Sequence, residues 1–341
     1  MNGTVLVTGA QGFLGRYLVR ELLSGDTDRV IGIGRSSLLP ATFTHEVARR
    51  GVRQPAQLPP DLLVAASSER YCYESADILD VAALSRVLSD ACPTIVIHLA
   101  ATRREASVER LTDGNVHGTQ SLIDACRAVG SVRRLVLGST AGVYGVPADL
   151  PLVETSLCQP AEPYGASKLA AEQCARNLCD DAGIELVVAR IFNVVGPGQE
   201  ERHVCGRLAS ELAAVANGTR SPVIAVRHLA ATRDYIDVRD VAAGLALLGD
   251  RGAPGATYNL ATGIETSVDR ILQYLLALSA LSGRVEVQVL PERPGEILRH
   301  VGDPTKVSTI GFRPAIDVVT SLSGVLGYYG LRVSKSQTSL G

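Results

Sequence analysis

The sequence predicts an α/β fold, a doubly wound parallel sheet with a smaller C-terminal α/β region, and three observations predict it. Short apolar runs alternate with longer amphipathic stretches through the first 190 residues. A glycine-rich turn joins the first run to the first amphipathic stretch, and after residue 190 the punctuation changes to Gly and Pro in NVVGPGQ. Strands alternating with helices make βαβ units, whose parallel sheet is covered by helices on both faces.

The strand-like runs fall at 4–8, 30–33, 94–99, 134–137 and 186–190, with helical patterns at 12–23, 81–90, 107–129 and 164–181 between them. Residues 36–70 break this rhythm. They are rich in Pro, Arg and Ala without a clear period and read as an insertion after the second strand: a lid, an oligomer contact or a loop. A helix near 206–217 and shorter strand and helix signals follow out to about residue 329. The expected division is therefore 1–190 for the first domain with its insertion at 36–70, 191–330 for the second, and a polar tail at 331–341.

Composition narrows the function class. The chain has 341 residues, enough for a substantial core, and its 33 basic and 35 acidic residues give a formal charge of −2. Such a balance argues against nucleic acid and against an anionic membrane surface as partners. The seven cysteines include no C-x-x-C pair, and no His stands at metal-ligand spacing, so reduced thiols and no metal are expected. The start, MNGTVLVTGAQGFLG, lacks the features of a secretory signal, and no apolar run reaches ~18 residues. A cytoplasmic protein is expected. Only three of the basic residues are lysines, Lys168, Lys306 and Lys335. In so Arg-rich a chain, a retained lysine marks a place where a compact ammonium is needed.

In VLVTGAQGFLGRYLVREL the glycines at 9, 12 and 15 follow a strand and open a helix. Gly9 permits the tight turn, Gly12 lets the backbone approach a pyrophosphate, and Gly15 lets helix and strand pack closely, the Rossmann arrangement for a dinucleotide. The end of the second strand decides between NAD and NADP. There VIGIGRSS carries Gly34 where an acid would bind the ribose of NAD, and Arg35 with Ser36 and Ser37 offers donors to a 2′-phosphate. NADP(H) is preferred on this reading, with NAD(H) possible, and Arg35 as a surface arginine is the alternative.

AEPYGASKLAAEQ places Tyr164 and Lys168 four residues apart on one helix face. An adjacent ammonium lowers the pKa of a phenol, which can then exchange a proton with a carbonyl or alcohol oxygen. Upstream, RRLVLGSTAGVYG ends a strand in Ser139 and Thr140, at the sheet edge where open α/β folds bind ligands.

With these residues in place the chain resembles the extended short-chain dehydrogenases/reductases that act on nucleotide-diphosphate sugars. TGAQGFLG, ADILD, HLAA, NVHGT, STAGVYG, PYGASK, RIFNVVGPGQ, RDYIDVRDV, YNLATG and RPGE appear in that family's order across almost the whole chain. The resemblance implies a triad of Thr140, Tyr164 and Lys168. It implies Gly9, Gly12, Phe13 and Leu14 at the pyrophosphate, Asp77 and Ile78 at the adenine, and Leu99, Ala100, Ala101 and Asn115 along the rest of the cofactor. Ser139, Thr140 and Asn193 would meet the substrate, and Arg233 and Arg293 its diphosphate. Asn115 and His98 as structural residues, and Asp237 and Asp240 as helix caps, are the plain alternatives. A homodimer is a further implication.

Departures from the family narrow the reaction. Dehydratases resemble Thr-Asp-Glu at the strand end, where this chain has Thr140, Ala141 and Gly142. Epimerases usually hold NAD with an acid after the second strand. What remains is NADPH-dependent reduction of a 4-keto-6-deoxy nucleotide sugar, and FNVVGPGQ with RDYIDVRDV is similar to the reductases that act on GDP-sugars. The alternatives are a nucleotide-sugar epimerase and a non-catalytic NADP-binding sensor.

Overall fold

The computed structural model describes residues 3–49, 51–291 and 297–331. The strands run β1 (Thr4–Thr8), β2 (Arg29–Gly34), a hairpin β3 (Thr42–Arg49) and β4 (Val52–Gln57), β5 (Tyr71–Ser75), β6 (Ile95–His98), β7 (Arg134–Thr140) and β8 (Glu185–Ile191). They continue as β9 (Asn193–Val195), β10 (Val223–Val226), β11 (Thr232–Asp237) and β12 (Thr257–Leu260). A seven-stranded sheet in the order β12-β8-β7-β6-β1-β2-β5 is parallel throughout.

Apart from the partly exposed edge strand β5, its strands are largely buried on both faces, which is why they read as apolar runs. On one side Val5, Val7, Ile95, Ile97 and Val136 pack under Leu18 and Leu22 of α1 (Phe13–Ser24), with Leu245 and Leu248 from a later helix. On the other, Leu6, Ile31, Val96 and Leu135 meet α3 (Val81–Ala91), which follows the short α2 (Pro60–Ala66) of the insertion. They also meet Leu122, Ile123, Ala175 and Cys179 from two later helices.

The expected single helix over 107–129 is interrupted. It splits into α4 (Val108–Thr112), a wider turn at Asp113–His117 and α5 (Gly118–Val129). The cause is tertiary: Asn115, 1% exposed, turns inward, its side-chain oxygen accepting the Thr102 N–H at 2.8 Å and its amide donating to Ser167 Oγ at 2.8 Å. Next come α6 (Pro163–Ala182), α7 (Val204–Ala216) and α8 (Val238–Arg251). Asp237 caps α8, accepting the Arg239 N–H, while Asp240 accepts the N–H groups of Ala315 and Ile316.

Two elements from beyond the expected boundary at residue 190 join the first sheet. α8 packs on the first sheet, and β12 adds to its edge beside β8. The rest of the C-terminal part carries β9, β11 and two short strands in one small sheet and β10 with a further strand in another.

The insertion is neither featureless nor detached. In β3 the inward positions Phe43, His45 and Val47 are buried and alternate with less buried neighbours, a period of two interrupted in sequence by a histidine. His45 Nε2 donates to the Gly198 carbonyl at 2.8 Å, Glu201 accepts the Ala48 N–H at 2.6 Å, and the Tyr328 hydroxyl donates to Gln57 O at 2.9 Å. Phe43 lies 6.1 Å from Phe13 of the glycine loop, so the hairpin joins that loop to the segment around Gly198.

β1 and β6 end in a neutral hydrogen-bond relay. Thr8 Oγ1 accepts the N–H groups of Leu99 and Ala100, at 3.1 and 3.0 Å, so its own proton goes to His98 Nδ1 at 2.7 Å. Thr119 donates to Asn115 O and therefore accepts from His98 Nε2 at 3.1 Å. Burial holds the imidazole neutral, its pKa pushed down to about 3. Thr8→Val keeps the shape of the side chain and removes the relay; thermal unfolding should show a loss of about 2 kcal/mol. An unchanged midpoint would contradict this reading.

Candidate functional site

The glycine loop has the shape that a dinucleotide phosphate requires. Gly9 sits at φ 69° with Ala100 N only 2.9 Å from where a Cβ would be, and a Cβ on Gly15 would fall 2.2 Å from the Gly9 carbonyl oxygen. At Gly12 such an atom would approach only the Gly9 oxygen, at 3.2 Å, leaving that side of the loop open. Gly12 also begins α1 without a side-chain cap, so the first N–H groups of the helix are available to an anion. These residues fit a pyrophosphate.

The other cofactor candidates surround this loop. Arg35 is exposed at the end of β2, and Ser36 Oγ accepts from Gln11 Nε2 at 3.0 Å. Across from them at the end of β5, Asp77 is exposed with one oxygen on the Leu79 N–H, and Ile78 is buried against Gly118. Asn115 is committed to Thr102 and Ser167, as described, and does not line the cleft.

A cleft of about 900 Å³ opens from the glycine loop toward the C-terminal part. Phe13, Leu14, Leu99 and Ala101 line the end nearer the glycine loop, and Ser139, Thr140, Tyr164, Asn193 and Arg233 line part of the remainder. Arg293 lies outside the described residues. The structure thus gathers the strand-end hydroxyls and the tyrosine on one wall, from elements far apart in the chain.

Close backbone approach brings them together. Gly165, at the start of α6, lies so near the turn after β7 that a Cβ there would sit 2.5 Å from the Gly142 carbonyl oxygen. Pro163, in the first turn, is compatible with a helix start because its missing N–H would have no intrahelical partner. Thr140 Oγ1 accepts the Gly142 N–H at 3.1 Å, leaving its hydroxyl proton to donate elsewhere. Asn193 donates to the Asp234 carbonyl at 3.3 Å, and Asp234 accepts the N–H groups of Thr262 and Gly263, both at 2.9 Å.

The electrostatics differ from the sequence expectation at one point. Burial raises the Tyr164 pKa, and the charges that oppose this are Arg104 and Arg202 rather than Lys168. The lysine is 3% exposed and lies deeper, near His98 and Glu172, its pKa lowered by burial to about 8. A four-residue spacing fixes the face of a helix, not the distance between two long side chains. The phenol is therefore protonated at neutral pH and equipped to donate a proton.

Sequence reasoning did not find the arginines that line this cleft beside Arg233: Arg103, Arg104, Arg202, Arg207 and Arg227. Arg202 bridges Glu105 at 3.3 Å across the cleft and also pairs with Glu200. The first turn of α7 opens here too, with Val204 and Cys205 in the wall and no side-chain cap on its N-terminus. Two buried polar atoms in the lining, Gln199 Oε1 and the Tyr235 hydroxyl, have no hydrogen-bond partner among the described residues. Among those residues no cluster of His, Cys, Asp and Glu could hold a metal, and no helix is long and apolar enough to cross a membrane.

Comparison with known proteins agrees with this geometry. Residues 5–261 match the model of the NAD dependent epimerase/dehydratase family. UDP-glucose 4-epimerase of Mycolicibacterium smegmatis is 31% identical over 336 residues, 95% of this chain and 97% of that protein. GDP-6-deoxy-D-mannose reductase of Pseudomonas aeruginosa is 27% identical over 98% of this chain and 99% of its own. The structure of RMD from Pseudomonas aeruginosa complexed with NADPH superposes with a TM-score of 0.76 at 25% identity, covering 96% of this chain and 98% of that one. The chain belongs to the NAD dependent epimerase/dehydratase family, and it is an enzyme that works with a nicotinamide cofactor.

Gly165→Ala should force α6 away from the end of β7, because the obstructing atom is backbone. Loss of about 1–3 kcal/mol in thermal unfolding is expected; full stability would show that the two segments are not held this closely.

Proposed function

We propose that this family member reduces the keto carbon of a 4-keto-6-deoxy nucleotide-diphosphate sugar, with NADPH preferred over NADH. The observation that carries the reading is Tyr164 in a cleft whose strand end, Ser139 to Gly142, holds hydroxyls and no carboxylate. Removal of water from a sugar needs an acid and a base beside the reacting carbons, and those positions are Ala141 and Gly142. A keto group being reduced needs a proton for its oxygen, and Tyr164 has one to give.

In this reading Gly9, Gly12, Phe13 and Leu14 hold the pyrophosphate, Asp77 and Ile78 the adenine, and Leu99, Ala100 and Ala101 the nicotinamide half. Arg35 and Ser36 receive the 2′-phosphate, which supports NADPH. When bound, the cofactor supplies the hydride. Tyr164 donates to the keto oxygen, Thr140 hydrogen-bonds the same oxygen, and Lys168 holds the ribose of the cofactor from behind. Arg233 and Arg293 take the diphosphate of the sugar nucleotide, assisted by the uncapped N-terminus of α7, and Ser139 and Asn193 flank the sugar. A homodimer through α5 and α6 and a cytoplasmic setting, with seven free thiols, complete the proposal.

Epimerisation of a nucleotide sugar is the second reading, and the 31% identity to the mycobacterial UDP-glucose 4-epimerase favours it. Cofactor that stays bound through purification would support it. A non-catalytic sensor would have no use for a buried Lys168 on the helix that carries a cleft-lining Tyr164.

Tyr164→Phe tests the proposal. With a 4-keto-6-deoxy nucleotide sugar and NADPH supplied, kcat should fall by ~10²–10⁴ while NADPH affinity changes little. Undiminished turnover would remove Tyr164 from the chemistry.

A further inference from the structure

Gln11 lies within the glycine loop, is 1% exposed and does not line the cleft. Its amide is spent on the turn that follows β2. Nε2 donates to Ser36 Oγ at 3.0 Å and to the Ser37 carbonyl at 2.9 Å, and Oε1 accepts the Leu39 N–H at 2.5 Å. Arg16 of α1 reinforces the same turn, donating to Gln11 Oε1 at 3.1 Å, to the Thr42 carbonyl at 3.0 Å and to the Leu39 carbonyl. Tyr73 of β5 donates its hydroxyl proton to the Ser36 carbonyl at 2.9 Å. Because β1 and β5 flank β2 in the sheet, Gln11 and Tyr73 reach the turn from opposite sides.

These bonds do more than close a turn. Ser36 Oγ already accepts from Gln11, so its own proton is left to donate outward, and Arg35 beside it is exposed. Arg16 is 2% exposed, the acceptors it reaches are a side-chain amide and two carbonyls, and its Nε and Nη1 have no hydrogen-bond partner among the described residues. Position 34 is bound into the same arrangement: a Cβ on Gly34 would fall 2.8 Å from the Tyr73 hydroxyl oxygen, so a side chain there would push Tyr73 away from Ser36. A strand end without an acid, an outward hydroxyl and an exposed guanidinium, with a buried cation joined to the same turn, suits an anion rather than a neutral diol.

We propose that Gln11 and Tyr73 are positioning residues that set the choice of cofactor: together they hold the turn at 35–39 in the shape that presents Arg35 and Ser36 to the 2′-phosphate of NADP(H). Both act through Ser36, Gln11 on its hydroxyl and Tyr73 on its carbonyl. A turn held in place before the cofactor arrives does not have to be ordered on binding, and that saving falls on the ligand that uses the turn. The inference rests on the placing of the 2′-phosphate at Arg35 and Ser36 given above, and adds to it the residues that enforce the preference.

NADP⁺ and NAD⁺ differ only in the 2′-phosphate, so the ratio of their dissociation constants, measured by titration calorimetry on the full chain, reads the turn directly. The wild-type chain should bind NADP⁺ at least ~10-fold more tightly, the worth of one hydrogen bond to a charged group. Gln11→Leu, which keeps the bulk and loses both polar atoms, and Tyr73→Phe should each cut the ratio to about threefold or less, through weaker NADP⁺ binding, while NAD⁺ affinity moves by less than about twofold. Should Gln11→Leu fail to fold, Tyr73→Phe decides the matter, since it deletes a single oxygen from a partly exposed ring. A folded variant of either kind that keeps the wild-type ratio overturns the proposal and leaves the NADPH reading standing. So does one in which both affinities fall alike, because a general loosening of the loop would do that. A wild-type chain that binds NAD⁺ as tightly as NADP⁺ sinks the NADPH reading itself, and this inference with it.

Discussion

The helix that carries Tyr164 and Lys168 approaches the end of β7 more closely than any side chain would allow, and the geometry of the cleft depends on that contact. A Cβ on Gly165 would fall 2.5 Å from the Gly142 carbonyl oxygen, and this approach lets Thr140 and Tyr164 meet on one wall. At the end of the neighbouring strand β6, Gly9 presses against Leu99 and Ala100, whose N–H groups are held by Thr8. Three chain segments distant in sequence thus converge through backbone contacts, which flex less than side chains and place reacting groups within narrow limits.

Behind this wall the charges are arranged in layers. His98 is neutral, Lys168 is charged but weakened by burial, and Glu172 with Arg190 forms a fully buried pair. In front of it, Arg104 and Arg202 set the field at the phenol while bridging to Glu162 and Glu105. Burial keeps the proton on Tyr164 although these arginines oppose it, and a developing alkoxide in the cleft would meet the positive charge of the arginine layer.

The sheet was legible because strands buried on both faces cannot hide their composition. The glycine loop was legible because local geometry demands glycine at those positions, whereas the four-residue spacing put Tyr164 and Lys168 on one helix without bringing the ammonium to the phenol. The hairpin at 36–70 was missed because His45 occupies an inward position that a polar residue normally avoids, and Pro55 interrupts its partner strand. The break at Asn115 was missed because only the tertiary neighbours Thr102 and Ser167 require it. No local signal told β12 which sheet to join. The cleft arginines were hidden by number: in a chain with thirty of them, no single one stands out until the fold brings several to one surface.

Cofactor stoichiometry separates a reductase from an enzyme that returns its cofactor unchanged. Purified protein mixed with a 4-keto-6-deoxy nucleotide sugar and NADPH should oxidise one NADPH for each sugar reduced, followed by the loss of nicotinamide absorbance and by the mass of the product. A product epimeric at the sugar, formed with no NADPH consumed, would contradict the account.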